Sequence, residues 1–136
     1  MMHQIEITLP AYSRGFHIIT DEILRQIPSL PQIGLLHLFL QHTSAGICIN
    51  ENADHPVLAD LNAWFNKIIK ENEAYYKHTF EGPDDMPAHI KTILTGCEIT
   101  IPISNARFNF GTWQGIYLGE FRNYGGVRKL VATIYS

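Results

Sequence analysis

The segment Gly115-Ile116-Tyr117-Leu118-Gly119-Glu120-Phe121-Arg122 is followed by Asn123-Tyr124-Gly125-Gly126, and then by Val127-Arg128-Lys129-Leu130-Val131-Ala132-Thr133-Ile134-Tyr135. Two runs rich in aliphatic, aromatic and β-branched residues thus flank a short segment with adjacent glycines. The pattern predicts strands over 115–122 and 127–135, paired through a hairpin turn. Upstream, Ile5, Ile7 and Leu9 alternate with Gln4, Glu6 and Thr8, which marks a half-buried strand closed by Pro10. Phe16 to Ile19 reads as a second, short strand. Thr20 or Asp21 then caps a short helix from Glu22 to Ile27, stopped by Pro28. Leu35 to Gln41 is apolar at both parities, as in a central strand covered on both faces. Gly46 to Asn50 returns as another strand after the turn His42-Thr43-Ser44-Ala45.

The clearest helix is predicted from Pro56 to Glu71. There Val57, Leu61, Trp64, Phe65 and Ile68 recur at spacings of three and four and make one wide apolar stripe. Asp54 is placed to cap it, with Pro56 in its first turn. A shorter helix is predicted from Met86 or Pro87 to Leu94. Asp84 and Asp85 suit its positive end, and Gly96 ends it. Glu98 to Ile101 reads as a further strand. Strands and helices do not alternate as strict βαβ units, so the fold class predicted is α+β. Mainly antiparallel sheet with helices would form a single domain over residues 1–136.

At 136 residues, 46 % of them hydrophobic and 17 % charged, the chain has enough apolar material for an ordinary core, which excludes intrinsic disorder. The longest apolar stretch, Gly34 to Leu40, is broken by His37 and is far too short to span a bilayer. Ten basic against thirteen acidic side chains leave a formal charge of −3, the wrong sign for sequence-independent nucleic-acid binding. The first residues show no basic region before an apolar run, and the two cysteines, Cys48 and Cys97, sit in apolar surroundings. Two buried thiols in a reducing cytoplasm are expected rather than a disulfide.

Among seven histidines, His42, His78 and His89 stand out because each falls at an element end or in a loop, where a scaffold presents functional groups. Three neutral imidazoles with water in the fourth position make an open, catalytic type of zinc site. Glu51, Glu81, Asp84 and Asp85 are near enough in sequence to orient these rings or to be ligands themselves. No His-Glu-x-x-His pair or finger-spaced cysteine pair forces the groups together, so ordinary hydrogen-bonded histidines remain open as a reading. Glu51, in the polar run Asn50-Glu51-Asn52-Ala53-Asp54, is a candidate general base. In Gly111-Thr112-Trp113-Gln114-Gly115, Trp113 offers a flat face and Gln114 an amide that both donates and accepts. Arg122 and Arg128 come close together if the hairpin closes. They then need an anion, either Glu120 or a substrate phosphate or carboxylate.

The runs Gln41-His42-Thr43-Ser44-Ala45-Gly46, Asn50-Glu51-Asn52-Ala53-Asp54, His78 through Lys91, and Gly111-Thr112-Trp113-Gln114-Gly115-Ile116 together resemble the YjbQ-like family. Its members are known as secondary thiamine-phosphate synthases or as uncharacterised conserved proteins. The resemblance implies a small α+β sandwich, a homotrimer and active sites between subunits. It also implies a divalent metal, zinc being one candidate, held by histidines matching His42, His78 and His89. Glu51, Trp113 and Gln114 take the catalytic positions. Where many members carry a further histidine two places before His89, this chain has Pro87, so a carboxylate or water must replace a ligand lost there. The associated reaction transfers a pyrimidine diphosphate unit to a thiazole phosphate, for which Lys91, Arg122 and Arg128 are the cationic phosphate contacts.

Three functional readings follow. A metal-dependent enzyme would rely on His42, His78 and His89. A non-catalytic binding module for a small phosphorylated metabolite would rely on Arg122, Arg128, Lys91 and Trp113. A purely structural trimer would use the polar clusters to join its subunits.

Overall fold

Alternation at the N-terminus produces β1 (Met2–Leu9), with Ile7 and Leu9 fully buried and Gln4, Glu6 and Thr8 exposed. The computed structural model describes residues 1–136, and the remaining elements follow in order. They are β2 (Gly15–Ile18), α1 (Thr20–Gln26), β3 (Ile33–Leu40), β4 (Ala45–Glu51), α2 (Pro56–Ile68), α3 (Asp85–Thr95), β5 (Glu98–Ser104), β6 (Arg107–Phe108), β7 (Gln114–Glu120) and β8 (Arg128–Tyr135). The strands form two antiparallel sheets, a larger one ordered β1-β8-β3-β5-β6 and a smaller one ordered β2-β7-β4. Leu36, Leu38 and Leu40 of β3, with Leu130 and Ala132 of β8, face Ile47 of β4 and Ile116 and Leu118 of β7 in the main core. On the far side of the smaller sheet, Phe16, Tyr117 and Phe121 pack with Ala88 of α3 and with Leu58, Leu61 and Phe65 of α2. The fold is therefore α+β, with the smaller sheet sandwiched between the larger sheet and two helices.

The expected hairpin does not form. β7 pairs with β2 and β4, whereas β8 pairs with β1 and β3, so the two strands lie in different sheets. The intervening residues are long enough to cross the roughly 10 Å between packed sheets. Gly125 serves close approach here: a Cβ at that position would overlap the Glu120 carboxylate.

Other expectations shift less. Thr20 does not cap α1 with its side chain. Its hydroxyl instead accepts from the Ile116 N–H at 2.8 Å and so ties the helix to β7. α2 ends at Ile68, and Trp64 and Ile68 are more than half exposed, so its buried stripe is narrower than the sequence suggests. Asp54 makes no side-chain cap. Gly96 ends α3 at φ +92°, and β5 runs on to Ser104 before a turn at Asn105 and Ala106 leads into β6.

β3 is central, but only one of its faces is covered. Ile33, Leu35 and Phe39 are exposed on the other, next to Tyr135 and Val131 of β8 in register. Cys48 and Cys97 are free and only partly buried. No helix is long and apolar enough to cross a membrane.

Candidate functional site

Asp85 and His89 are four residues apart on α3, so they project from one face of the helix. His78, from the loop before α3, reaches the same place. Its Nε2 lies 2.7 Å from Asp85 Oδ2, and His89 Nε2 lies 3.2 Å from that same oxygen. The other nitrogen of His89, Nδ1, donates to the Thr43 carbonyl at 2.8 Å. A carbonyl can only accept, so Nδ1 carries the proton. Nε2 then meets Asp85 Oδ2 as the second N–H of an imidazolium, in an ion pair, or, when the ring is neutral, as a lone pair open to a cation. His78 Nε2, His89 Nε2 and Asp85 Oδ2 all lie within 4.8 Å of one another.

The second Asp85 oxygen is fixed by Arg122. Arg122 Nη1 donates to Asp85 Oδ1 at 2.8 Å, its Nε to Asp84 Oδ2 at 2.9 Å, and its Nη2 to the Glu81 carbonyl at 2.9 Å. Burial works against the Asp85 carboxylate. The hydrogen bond from His78 and the charges of His89 and Arg122 outweigh it, and the pKa lies below the ordinary carboxylate value. Asp84 is likewise held down, against its burial, by the Asn123 N–H and by Arg122.

His42 does not join His78 and His89. Its Nε2 accepts the Lys129 N–H at 2.8 Å, and its Nδ1 lies 3.4 Å from Arg128 Nη1. Burial, and then the charge of Arg128, lower its pKa, and the ring is neutral. Asp85 takes the third position instead.

The three expected phosphate contacts are engaged inside the chain. Arg122 clamps the start of α3. Arg128 makes a buried two-bond pair with Glu120, Nε to Oε1 at 2.7 Å and Nη2 to Oε2 at 2.6 Å. Arg122 and Arg128 therefore do not share one anion across a hairpin. Lys91 lies two residues beyond His89, which turns it to a different side of α3. It is buried and donates to Asn66 Oδ1 at 2.7 Å, and burial pushes its pKa down to about 8.

Glu51, Trp113 and Gln114 gather at the opposite end of β4. Glu51 pairs with Gln114 in register, the Asn52 N–H donates to the Trp113 carbonyl at 2.7 Å, and the Trp113 ring is exposed. Ala45, next to the histidine cluster, and Glu51 are six residues apart, about 20 Å along an extended strand. One chain does not bring these groups to a single substrate. Asp85 was one of four acidic candidates in the sequence, and its spacing to His89 is the signal that singles it out.

The architecture and site define a class: a two-sheet α+β sandwich with a histidine–carboxylate cluster at the N-terminal end of a helix. A family model described as UPF0047 protein YjbQ-like matches residues 4–136, and the chain belongs to that family. It is 48 % identical over 136 residues to the UPF0047 protein YjbQ of Escherichia coli O157:H7, covering 98 % of each chain. Among solved structures it is similar to an uncharacterised conserved protein of the YjbQ/UPF0047 family from Clostridium acetobutylicum, with a TM-score of 0.79, 36 % identity, and coverage of 93 % of this chain and 97 % of that one. A conserved hypothetical protein from Thermus thermophilus matches with a TM-score of 0.82 and 29 % identity, covering 93 % of this chain and 97 % of that one.

Proposed function

We propose that the chain is a metal-dependent enzyme acting on a small phosphorylated substrate, with a divalent ion held by His78, Asp85 and His89. The observation that carries this reading is the convergence of His78 Nε2, His89 Nε2 and Asp85 Oδ2, all within 4.8 Å of one another. A cation among them takes a lone pair from each. Two imidazoles and one carboxylate also leave coordination positions for water or substrate. Zinc suits such donors, and other first-row divalent ions do as well. When bound, the ion polarises a phosphoryl oxygen or lowers the pKa of a water. Thr43 holds the His89 tautomer, and Arg122 holds the Asp85 carboxylate in orientation.

The reading includes a homotrimer with sites between subunits, in a reducing cytoplasm that suits the free thiols. Two observations support the assembly: the uncovered apolar face of β3 and β8, and the separation of Glu51, Trp113 and Gln114 from the histidines. A neighbouring copy brings the second group to the first, with Glu51 as base and Trp113 and Gln114 as substrate contacts. Transfer of a pyrimidine diphosphate unit to a thiazole phosphate, with loss of pyrophosphate, is the candidate reaction and a secondary one.

Metal content of protein purified without chelator tests the core of the reading. We expect about one divalent ion per chain, lost in His89→Ala, because a three-ligand site does not survive removal of a ligand. Wild-type protein that stays metal-free after incubation with zinc, or a variant with unchanged stoichiometry, would refute it.

A further inference from the structure

We propose that His42 and Arg128 form a subsite for a phosphate group, in the open cleft of about 410 Å³ that they line with Thr43, Ser44 and Cys97. The inference deepens the metal-dependent reading by giving the substrate's anion a place of its own, but its geometry stands apart from the metal. The Lys129 N–H can only donate, so His42 Nε2, 2.8 Å away, must present its lone pair. The neutral ring then carries its proton on Nδ1. Arg128 Nη1, 3.4 Å from that Nδ1, also has only protons to offer. Protonating Nε2 instead would set two donors against each other at the Lys129 end. In either state, one pair of donors is left without an acceptor between them.

The guanidinium cannot turn away. Its Nε and Nη2 are held by Glu120, and Nη2 also reaches Ser44 Oγ at 3.1 Å and the Ser44 carbonyl at 3.2 Å. The Arg128 side chain is only 6 % exposed and the Glu120 side chain 0 %. Nη1 has no partner apart from the imidazole. An oxygen with two lone pairs, placed between Nη1 and Nδ1–H, satisfies both donors. Glu120 already balances the charge of Arg128, and the exposed Lys129 beside them adds a net positive charge. The backbone N–H groups of His42, Thr43 and Ser44 have no acceptor within the chain, so the turn can offer further donors. A phosphate, with several oxygens, uses more of these than a carboxylate does. A neighbouring cleft shares His42, Thr43 and Cys97 with the first and reaches His89, so a phosphate held by His42 sits one cleft away from that ring.

The two nitrogens of His42 have separate roles, and two substitutions separate them. His42→Gln keeps an acceptor near the Nε2 position for Lys129 but removes the donor at Nδ1. His42→Asn keeps an amide near Nδ1 but leaves the Lys129 N–H unpaired. Chelator-treated protein is titrated with inorganic phosphate by calorimetry, with acetate as the carboxylate probe. The expected result is one phosphate site per chain in wild type and in His89→Ala, and weaker or no binding of acetate. In His42→Gln the phosphate affinity falls about tenfold with the melting temperature nearly unchanged, as loss of one charge-assisted hydrogen bond implies. In His42→Asn the affinity is largely kept while the melting temperature falls. Wild type that fails to bind phosphate overturns the subsite, as does a parallel loss of affinity and stability in both variants. Phosphate binding that disappears with chelator or in His89→Ala puts the anion on the metal, which also overturns the subsite and leaves the metal reading intact. Phosphate binding by a protein that takes up no metal keeps the subsite and removes the metal reading.

Discussion

Glu120 and Asp85 are both carboxylates with almost no exposed surface, and each meets a guanidinium at the same end of the smaller sheet. Their valences are filled differently. Glu120 takes two bonds from Arg128 and one from the Arg122 N–H at 3.1 Å, and all of these partners are unambiguous donors. Asp85 takes a donor from Arg122 on one oxygen but two ring nitrogens on the other, one of which lacks a proton while its ring is neutral. Burial and charge pairing are common to both clusters and so do not separate a structural pair from a chemical site. The donor count does: it closes at Glu120 whatever the histidines carry, and at Asp85 only when His89 is an imidazolium.

The contrast breaks most visibly at Glu120. Glu120→Gln keeps the shape but leaves the Arg128 charge buried without a counter-ion, at an expected cost of about 3–5 kcal/mol. Urea denaturation measures it, and a loss below about 1 kcal/mol would mean that the pair does not hold the sheets together.

Asp85→Asn should cost less, about 1–3 kcal/mol, because Arg122 retains Asp84 and the Glu81 carbonyl. Its pH dependence sharpens the comparison. The folded pKa of Asp85 is depressed, so its contribution is fully present above the unfolded value near 3.8 and is lost as the pH falls through the lower folded value. Denaturation curves in acid should therefore bring the variant and wild type together. A gap that stays constant from pH 7 to pH 3 would show that the Asp85 charge contributes nothing to stability.

Much of this frame was legible in the sequence. The period-two pattern of β1 and the glycine after α3 locate those elements to within a residue or two, because local backbone preference and burial agree there. The partner of β7 was not legible. Asn123-Tyr124-Gly125-Gly126 has the composition of a tight turn, yet β7 and β8 are each claimed on both edges by other strands, a choice made by faces distant in sequence. At the site, His78 and His89 could be singled out because both fall at element ends. The displacement of His42 could not be foreseen, since it depends on the Lys129 N–H arriving opposite Nε2, and register alone decides that. The sequence left either a carboxylate or water for the place of the histidine that Pro87 displaces, and Asp85 is the carboxylate that lies beside His78 and His89.

Lys91 is a third buried ion, intermediate between the other two. Its ammonium meets a neutral amide, Asn66 Oδ1, and the ring of Phe121 at 5.9 Å, with no carboxylate in direct contact. Burial, and then the charge of Arg14, lower its pKa from 10.5 to about 8, although Glu71 and Asp84 pull the other way. Between those two values the unfolded chain binds more protons than the folded one, so this group makes stability rise with pH across that window. Below about 8 the buried charge is a standing cost. Lys91→Met, which conserves most of the volume, should therefore leave stability at pH 7 unchanged or raise it by about 1 kcal/mol. The same substitution should erase the rise between pH 8 and pH 10.5. Chemical denaturation at pH 7 and pH 10 measures both effects. A variant less stable by the same margin at the two pH values would make Lys91 a packing residue whose charge is immaterial. It would also leave Asp84 and Asp85 as the buried groups whose charge the fold stabilises.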